Sequence, residues 1–466
     1  MFGLEVNRDS AVPITSQLIR QIRDAILGGK IGAKAKMPPS RTLADELGVS
    51  RNTIILVYEQ LIAEGYLESV TGSGTFVAEL GVLPEIKKHA AGLAHEQDSE
   101  HSEGTIAFYA GNPDISAFPR ALWAKALKDA CLDAEDSAFG YGGAKGHTGL
   151  RQALADYLYR AKGIFCGSER IFIVPGTAPG IEIISHLVCG EGSCAAMEDP
   201  CLTFTRNAIN RSGVRIIPVE SDCHGMRTDL LPEDEDVKLI YAAPSHQYPL
   251  GGVLPIARRI ALLDYAQRHD AYIIEDDYDS EFRYQGEPIQ SLWSLGDERV
   301  IYLGSFSNVF SPSLRMAYII VPQHLTKKLN DMLAQLNVWA GVIEQIALAR
   351  LIESKQFDRH IYRMKRLYDS KRKILIKSLA CAFGSSIKIS GELAGLHMLV
   401  SFENDITEEV KRAISGEGVA VDYAEGYAVI KGRHKNSLVM GFGDLDRERI
   451  EEGVKRLKKS FEKYRD

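Results

Sequence analysis

The chain has 466 residues, 45% of them hydrophobic and 25% charged, with a formal net charge of −7. That is enough length for two or three globular domains, and the wrong sign for a general polyanion binder, although one local nucleic-acid-binding face stays open. Seven cysteines, an odd number without a C-x-x-C pair, form neither a disulfide framework nor a zinc pattern, and point to free thiols in a reducing cytoplasm. The opening residues lack a basic segment followed by an apolar core, and no apolar run approaches the roughly 18 residues of a membrane helix, so neither a signal peptide nor a membrane partner is expected.

Ile14, Leu18, Ile22, Ala25 and Ile26 recur at helical spacing up to Gly28 and Gly29. A second helix is predicted over residues 42–47 with Ser40 as N-cap, ended by Gly48. A third runs over 51–64, capped by Ser50 and ended by Gly65. Two helices about a glycine-centred turn predict a helix-turn-helix, and residues 66–70 and 75–77 about Gly72, Ser73 and Gly74 predict a two-stranded wing.

The chemistry suits DNA. The start of the third helix offers free N–H groups to a phosphate. Ser50, Arg51, Asn52 and Thr53 are short polar groups plus one guanidinium that can reach base edges. Gly72 and Gly74 let the wing backbone approach phosphates closely. The plainer alternative is a small helical protein-binding module. It draws support from the near balance of acidic and basic residues over 1–79, so a DNA face must come from clustering between Lys30 and Arg51.

Residues 80–104 read as a linker, and His89, His95 and His101 find no cysteine or carboxylate cluster to complete a metal site. From Ile106 onward apolar strands alternate with amphipathic helices. Strands are predicted at 171–174, 194–197, 215–219, 239–242, 272–275, 300–303 and 318–321, and helices at 180–188, 256–268 and 323–339. The alternation predicts a mostly parallel sheet covered on both faces. A smaller α+β lobe follows from Ser386, with strands at 398–402 and 438–442 and a closing helix at 446–464.

Ligands of such sheets bind at the carboxyl ends of strands. Those ends carry Thr177, Ala178 and Pro179 at a helix start, His246 in the run 243–251, the acidic run 275–281, and a loop with Ser305, Ser307 and Arg315 suited to a phosphate.

Several of these runs are shared with known families. Pro39-Ser-Arg41, Leu43-Ala-x-x-Leu-Gly-Val-Ser-Arg-x-Thr53, Tyr58-x-x-Leu61, Glu64-Gly-Tyr66 and Gly72-Ser-Gly-Thr-Phe-Val77 resemble the winged helix-turn-helix of GntR-type bacterial repressors. That resemblance implies operator contacts from Arg41, Arg51 and the wing, and adds Ser40, Tyr58 and Ser73 to the candidate DNA-binding residues. Phe118-Pro-x-x-x-Trp123, Tyr141 to Arg151, Glu198-Asp-Pro200, Pro244-Ser-His-Gln-Tyr-Pro-x-Gly251, Ile274-Glu-Asp-Asp-Tyr-Asp-Ser-Glu-Phe-Arg-Tyr284 and Gly395-Leu-His397 resemble fold-type-I pyridoxal-phosphate aminotransferases.

Together the chain is identified as a member of the MocR subfamily of GntR regulators. The resemblance implies a DNA-binding domain over 1–79, a linker over 80–104, and an α/β aminotransferase-like effector-binding and dimerisation domain over 105–466 with a small C-terminal α+β lobe. It implies a homodimer and a double-stranded operator as partner.

Carried over residue by residue, the resemblance makes Asp276 the partner of the cofactor's pyridinium nitrogen, with Asp277 not separable by spacing. Tyr278 becomes the phenol that bonds the ring hydroxyl. Thr177, Ser305, Ser307 and Arg315 become the phosphate cup, and His246 and Arg433 the effector contacts.

Three sites around the pocket depart from the aminotransferase pattern. The Schiff-base lysine is Asn308, whose amide cannot form an imine. Ala178-Pro179 stands where relatives usually have Gln-Gln, and Cys201-Leu202 where they commonly have Gly-Tyr. Any pyridoxal phosphate is therefore expected to bind non-covalently, through Asp276, Tyr278 and Arg315, unless the pocket has turned to another small molecule or the domain is kept for dimerisation. The expected function is transcription regulation in response to an amine, an amino acid or a vitamin-B6-like ligand. The competing readings are an aminotransferase with an accessory DNA-binding domain, and a structural protein that has lost both functions.

Overall fold

Leu18, Ile22, Ala25 and Ile26 form one buried stripe of α1 (Ile14–Leu27). They meet Leu43 and Ala44 of α2 (Ser40–Leu47) and Ile54, Val57, Tyr58 and Leu61 of α3 (Arg51–Ala63) in one apolar core. Gly48 adopts a left-handed φ of 62° that ends α2 and turns the chain into α3. The Ser50 hydroxyl caps α3, accepting from the Thr53 amide at 3.1 Å. Ser40, in contrast, is not a cap. Pro39 holds that position with φ −54° and Ser40 is already the first helical residue, because proline's fixed φ presets the entry. The wing is an antiparallel pair, β1 (Leu67–Val70) and β2 (Gly74–Val77), in register Leu67 with Val77 and Val70 with Gly74.

The structure is a computed structural model that describes residues 2–10, 12–79 and 104–462. The linker reading, with its three histidines, falls on residues 80–104 and lies, except for Gly104, outside the described residues. The chain divides into two units, Met1–Asp98 and Ser99–Asp466.

The second unit opens with β3 (Ile106–Phe108) and continues with β4 (Ile171–Val174), β5 (Cys194–Asp199), β6 (Arg215–Asp222), β7 (Gly225–Met226), β8 (Val237–Ala242), β9 (Tyr272–Asp277), β10 (Val300–Ser305) and β11 (Ala317–Ile320). Strands β4 to β11 make one eight-stranded sheet in the order β4-β11-β10-β9-β8-β5-β6-β7, parallel apart from β11 and β7. Successive residues alternate between two cores. Ile171, Ile173, Val300 and Tyr302 enter one, and Phe172, Val174, Ile301 and Leu303 the other. Both faces are therefore covered, as the continuous apolar runs predict. The helix expected at 323–339 is shorter, Thr326–Leu336, because Asn337 takes a left-handed φ of 54° and stops it.

The small lobe is a five-stranded sheet. Its strands β12 (Ile387–Ser390), β13 (His397–Phe402), β14 (Val419–Tyr423) and β15 (Ser437–Gly441) stand in the order β12-β13-β15-β14-β3. Strand β3 pairs parallel to β14, Ile106 with Val419. The closing helix, Arg447–Glu462, buries Ile450, Val454 and Leu457. No described helix is long and apolar enough to cross a membrane.

Candidate functional site

The first candidate surface lies on the N-terminal unit. Arg41, Ser50, Arg51 and Asn52 are exposed, as are Gly72, Ser73 and Gly74 at the wing tip. Among the described residues neither Arg41 nor Arg51 has a carboxylate partner, and the Arg51 guanidinium only grazes the Ser40 hydroxyl at 3.5 Å. Thr53 is half-buried and shares a 2.8 Å hydrogen bond with Ser50. Gly72 and Gly74 have φ of 78° and 117°, which a residue with a Cβ adopts only with strain. Tyr58 does not belong to this surface. Its ring is buried and its hydroxyl donates to the Pro38 carbonyl at 2.8 Å, tying α3 to the turn before α2.

The second is a cavity of about 530 Å³ between the carboxyl ends of β9 and β10 and the small lobe. At one end lie Ser305, Ser307, Arg315 and the start of the helix Thr177–Val188, with Ala178 beside Thr177. The Ser307 amide donates to the Ser305 hydroxyl at 3.1 Å, which folds the loop back on itself. A Cβ at Gly176 would stand 2.9 Å from Nη2 of Arg315, so glycine there, at φ 108°, makes room for the guanidinium. No acceptor for the Arg315 guanidinium exists among the described residues. A free cation, two hydroxyls and a helix start converge as a phosphate requires.

The middle of the cavity receives Asp276, Tyr278, Asp279 and Asn308. Tyr241 donates its hydroxyl to Oδ2 of Asp276, while Oδ1 is buried without a partner. Burial pushes this carboxyl up to about 7, against the pull of the Tyr241 hydrogen bond. Spacing left Asp277 as a rival. Its side chain is instead bound by Lys162 and Ser280, each at 2.8 Å, and by the Tyr302 hydroxyl. Burial opposes ionisation of Asp277, but the Lys162 ammonium outweighs it and holds the carboxyl below its ordinary value. Behind the cavity Glu198 accepts from the Ala243 amide at 3.1 Å and is pushed up to about 8 by burial. Asn308 donates its side-chain amide to the Tyr278 carbonyl at 3.3 Å. Tyr278 commits its own hydroxyl proton to the His246 carbonyl at 2.8 Å, which leaves the oxygen able only to accept from a ligand.

Two expected effector contacts lie elsewhere. His246 is buried behind the cavity wall, with Nδ1 at 3.1 Å from Asp279 and Nε2 at 3.2 Å from the Gly391 carbonyl. Both ring nitrogens are thereby engaged. Burial opposes its charge, but the Asp279 carboxylate outweighs it and holds the imidazole above its ordinary value. Arg433 is half-exposed outside the cavity and pairs with Glu220. A local carboxylate satisfies it before any ligand can.

The far end of the cavity is aromatic, and none of its side chains is among the ligand contacts expected from the sequence. It comprises Leu202, Phe204, Tyr248, His397 and Tyr427. The Tyr248 and Tyr427 rings meet edge to face at 5.1 Å, and Tyr248 lies 4.8 Å from His397. Nε2 of His397 is buried without a partner, and burial holds the imidazole well below its ordinary value, hence neutral. Tyr248 and His397 stand in runs that marked the aminotransferase-like domain. Tyr427 had no strand-end signal and reaches the cavity through the small lobe.

The orphaned Oδ1 of Asp276 and the free Arg315 guanidinium suit a phosphorylated pyridine: one would take a ring N–H, the other the phosphate. Among the described residues that line it, the same cavity holds no amine.

Residues 14–77 match the gntR family of bacterial regulatory proteins, and residues 105–457 match aminotransferase class I and II. The chain is 32% identical over 475 residues to the probable rhizopine catabolism regulatory protein MocR of Rhizobium meliloti, covering 98% of this chain and 96% of that one. It is 31% identical to the pyridoxine biosynthesis transcriptional regulator PdxR of Corynebacterium glutamicum, covering 96% of each. Among solved structures, kynurenine aminotransferase of Pyrococcus horikoshii is similar with a TM-score of 0.72 and 25% identity, over 78% of this chain and 92% of that one.

Proposed function

Because the chain belongs to the GntR family of transcriptional regulators, in the MocR-type branch that joins a winged helix-turn-helix to an aminotransferase-like domain, we propose that its DNA-binding head is governed by non-covalent occupancy of the cavity at Asp276 and Arg315. The head, residues 1–79, binds double-stranded operator DNA through Arg41, Ser50, Arg51, Asn52, Thr53 and the wing. Residues 105–466 bind the effector and dimerise the chain, so that occupancy alters the spacing of two heads, a coupling between two sites. The regulator works in the cytoplasm.

One observation carries this reading. The cavity combines a free guanidinium and an unpartnered carboxylate oxygen with Asn308, whose amide nitrogen is not nucleophilic and already donates to the Tyr278 carbonyl. Pyridoxal 5'-phosphate, the cofactor of the aminotransferase fold, would be held by Arg315, Ser305, Ser307 and Thr177 at its phosphate and by Asp276 at its ring nitrogen. When bound in enzymes it supplies an electron sink. Here the chain's own residues bind and orient it, and no side chain lining the cavity attaches it. The domain is accordingly a sensor and not an enzyme.

The test uses the full chain incubated with pyridoxal phosphate, reduced with borohydride and weighed by mass spectrometry. No adduct is expected on the native chain, and Asn308→Lys, which restores an amine, serves as positive control. An adduct at the cavity of the native chain, or transamination above blank, would overturn the proposal. Footprinting on the DNA upstream of the chain's own coding region, with and without pyridoxal phosphate, tests the regulatory half. A footprint that no ligand alters sinks the coupling.

A further inference from the structure

We infer that the cavity selects a phosphorylated pyridine that carries no carboxylate, so that the regulator reports a free vitamin-B6 phosphate and not an amino acid or its cofactor adduct. The inference rests on the reading of the cavity as a non-covalent sensor.

Among the described residues that line the cavity there is one cation, Arg315, and it stands at the phosphate end. A ligand bearing a second anion must place it at the other end, where the wall is Tyr248, Tyr427, Leu202, Phe204 and a neutral His397. Cations close to the lining are already engaged: Arg206 donates to the Tyr427 carbonyl at 3.4 Å, and His246 pairs with Asp279. Arg433 pairs with Glu220 on the outside, and Lys162 lies behind β9 with Asp277 and Glu281. The ionisable groups on the way, Asp276 and Asp279, are acidic and supply no counter-ion. A carboxylate taken into that wall would lose its water and gain no counter-ion, which buried anions do not tolerate.

An uncharged or cationic substituent meets the opposite situation. Aromatic faces attract cations. Nε2 of His397 is buried with nothing bound to it, so it stands ready for one hydrogen bond. The wall therefore suits a hydroxymethyl or aminomethyl group and rejects the carboxylate of an amino acid.

Calorimetry on the full chain tests this with probes that differ in one group. Pyridoxamine 5'-phosphate measures the free class. The reduced adducts N-(5'-phosphopyridoxyl)-isopropylamine and N-(5'-phosphopyridoxyl)-L-alanine have the same phosphate, ring and nearly the same bulk, and only the second has a carboxylate. The isopropylamine adduct is expected to bind at least about 10-fold tighter than the alanine adduct. Leu202→Arg, which adds a cation to the aromatic wall, should bring that ratio towards one. An alanine adduct that binds the native chain as tightly or more tightly overturns the inference, and so does a ratio that Leu202→Arg leaves unchanged. If no phosphorylated probe binds at all, it is the sensor reading itself that fails. If all bind and the carboxylate is preferred, that reading stands and only the selectivity is wrong.

Discussion

The two candidate sites of this chain are built on opposite principles. The surface proposed to read DNA draws on residues within about a dozen positions of each other plus a hairpin tip, and most of them are exposed. The cavity draws on residues as far apart as Thr177 and Tyr427, and its key carboxylate, Asp276, is 2% exposed. A surface of free charges works through screening and counter-ion release. A buried site works through desolvation, where one unpaired atom decides what enters. The same contrast separates the arginines. Arg51 stands free in water, whereas the Arg315 guanidinium lies against Gly176, where an added Cβ would come within 2.9 Å of Nη2.

The largest expected effect lies on the exposed surface. Arg51→Ala should weaken operator binding about 10- to 100-fold in a gel-shift titration. Combining it with Arg41→Ala should lower the dependence of log affinity on log salt by about two. An unchanged salt slope would mean these arginines do not meet phosphates. Next comes the cavity. Arg315→Ala removes a charge-assisted phosphate contact and should weaken pyridoxamine 5'-phosphate about 10- to 100-fold by calorimetry, with ligand-free DNA affinity unchanged. Equal loss of both would show that the substitution had merely unfolded the domain.

Smaller effects come from titration. In the folded chain the Asp276 carboxyl is raised to about 7 from an ordinary 3.8, so the folded state holds the proton more tightly. The stability this supplies is fully present below about pH 4 and is lost as pH rises through about 7. Glu275, raised to about 7, and Glu198, raised to about 8, act in the same direction. The melting temperature of the ligand-free protein should therefore fall between about pH 6.5 and pH 8, above the range in which buried neutral histidines such as His360 and His397 gain stability as pH rises. Asp276→Asn should recover a part worth about 1–3 kcal/mol at pH 8. A melting temperature that rises over that range contradicts the assignment. Smallest is Tyr58→Phe, which leaves the Pro38 carbonyl without its donor. It should cost the head about 1 kcal/mol in chemical denaturation without altering sequence preference. A change of preferred operator would return Tyr58 to the reading surface.

Much of the architecture was legible because its signals are local. Gly48, Ser50 and Gly65 punctuate the head, and continuous apolar runs announce the buried strands. Strand ends then pointed to Thr177, Asp276, Ser305 and Arg315, because ligands meet open α/β sheets there. Tyr58 misled, since an aromatic in a DNA-binding motif and an aromatic in a helix core look alike in sequence. His246 and Arg433 misled for a related reason: whether a polar side chain serves a ligand or a neighbour depends on which carboxylate folds beside it, here Asp279 and Glu220.

The sequence by itself determined the element order, the helix-turn-helix with its cap and wing, the buried parallel strands, and the presence of an amide at position 308. Each of these rests on periodicity, on the backbone freedom of glycine and proline, or on the identity of one residue. The tertiary structure alone decided that Asp276 and not Asp277 faces the cavity, that Asp276 is left one oxygen short of a partner, and that the far wall is aromatic and without a cation. Those facts depend on which side chains from distant segments meet around one cavity, and no local pattern encodes that meeting.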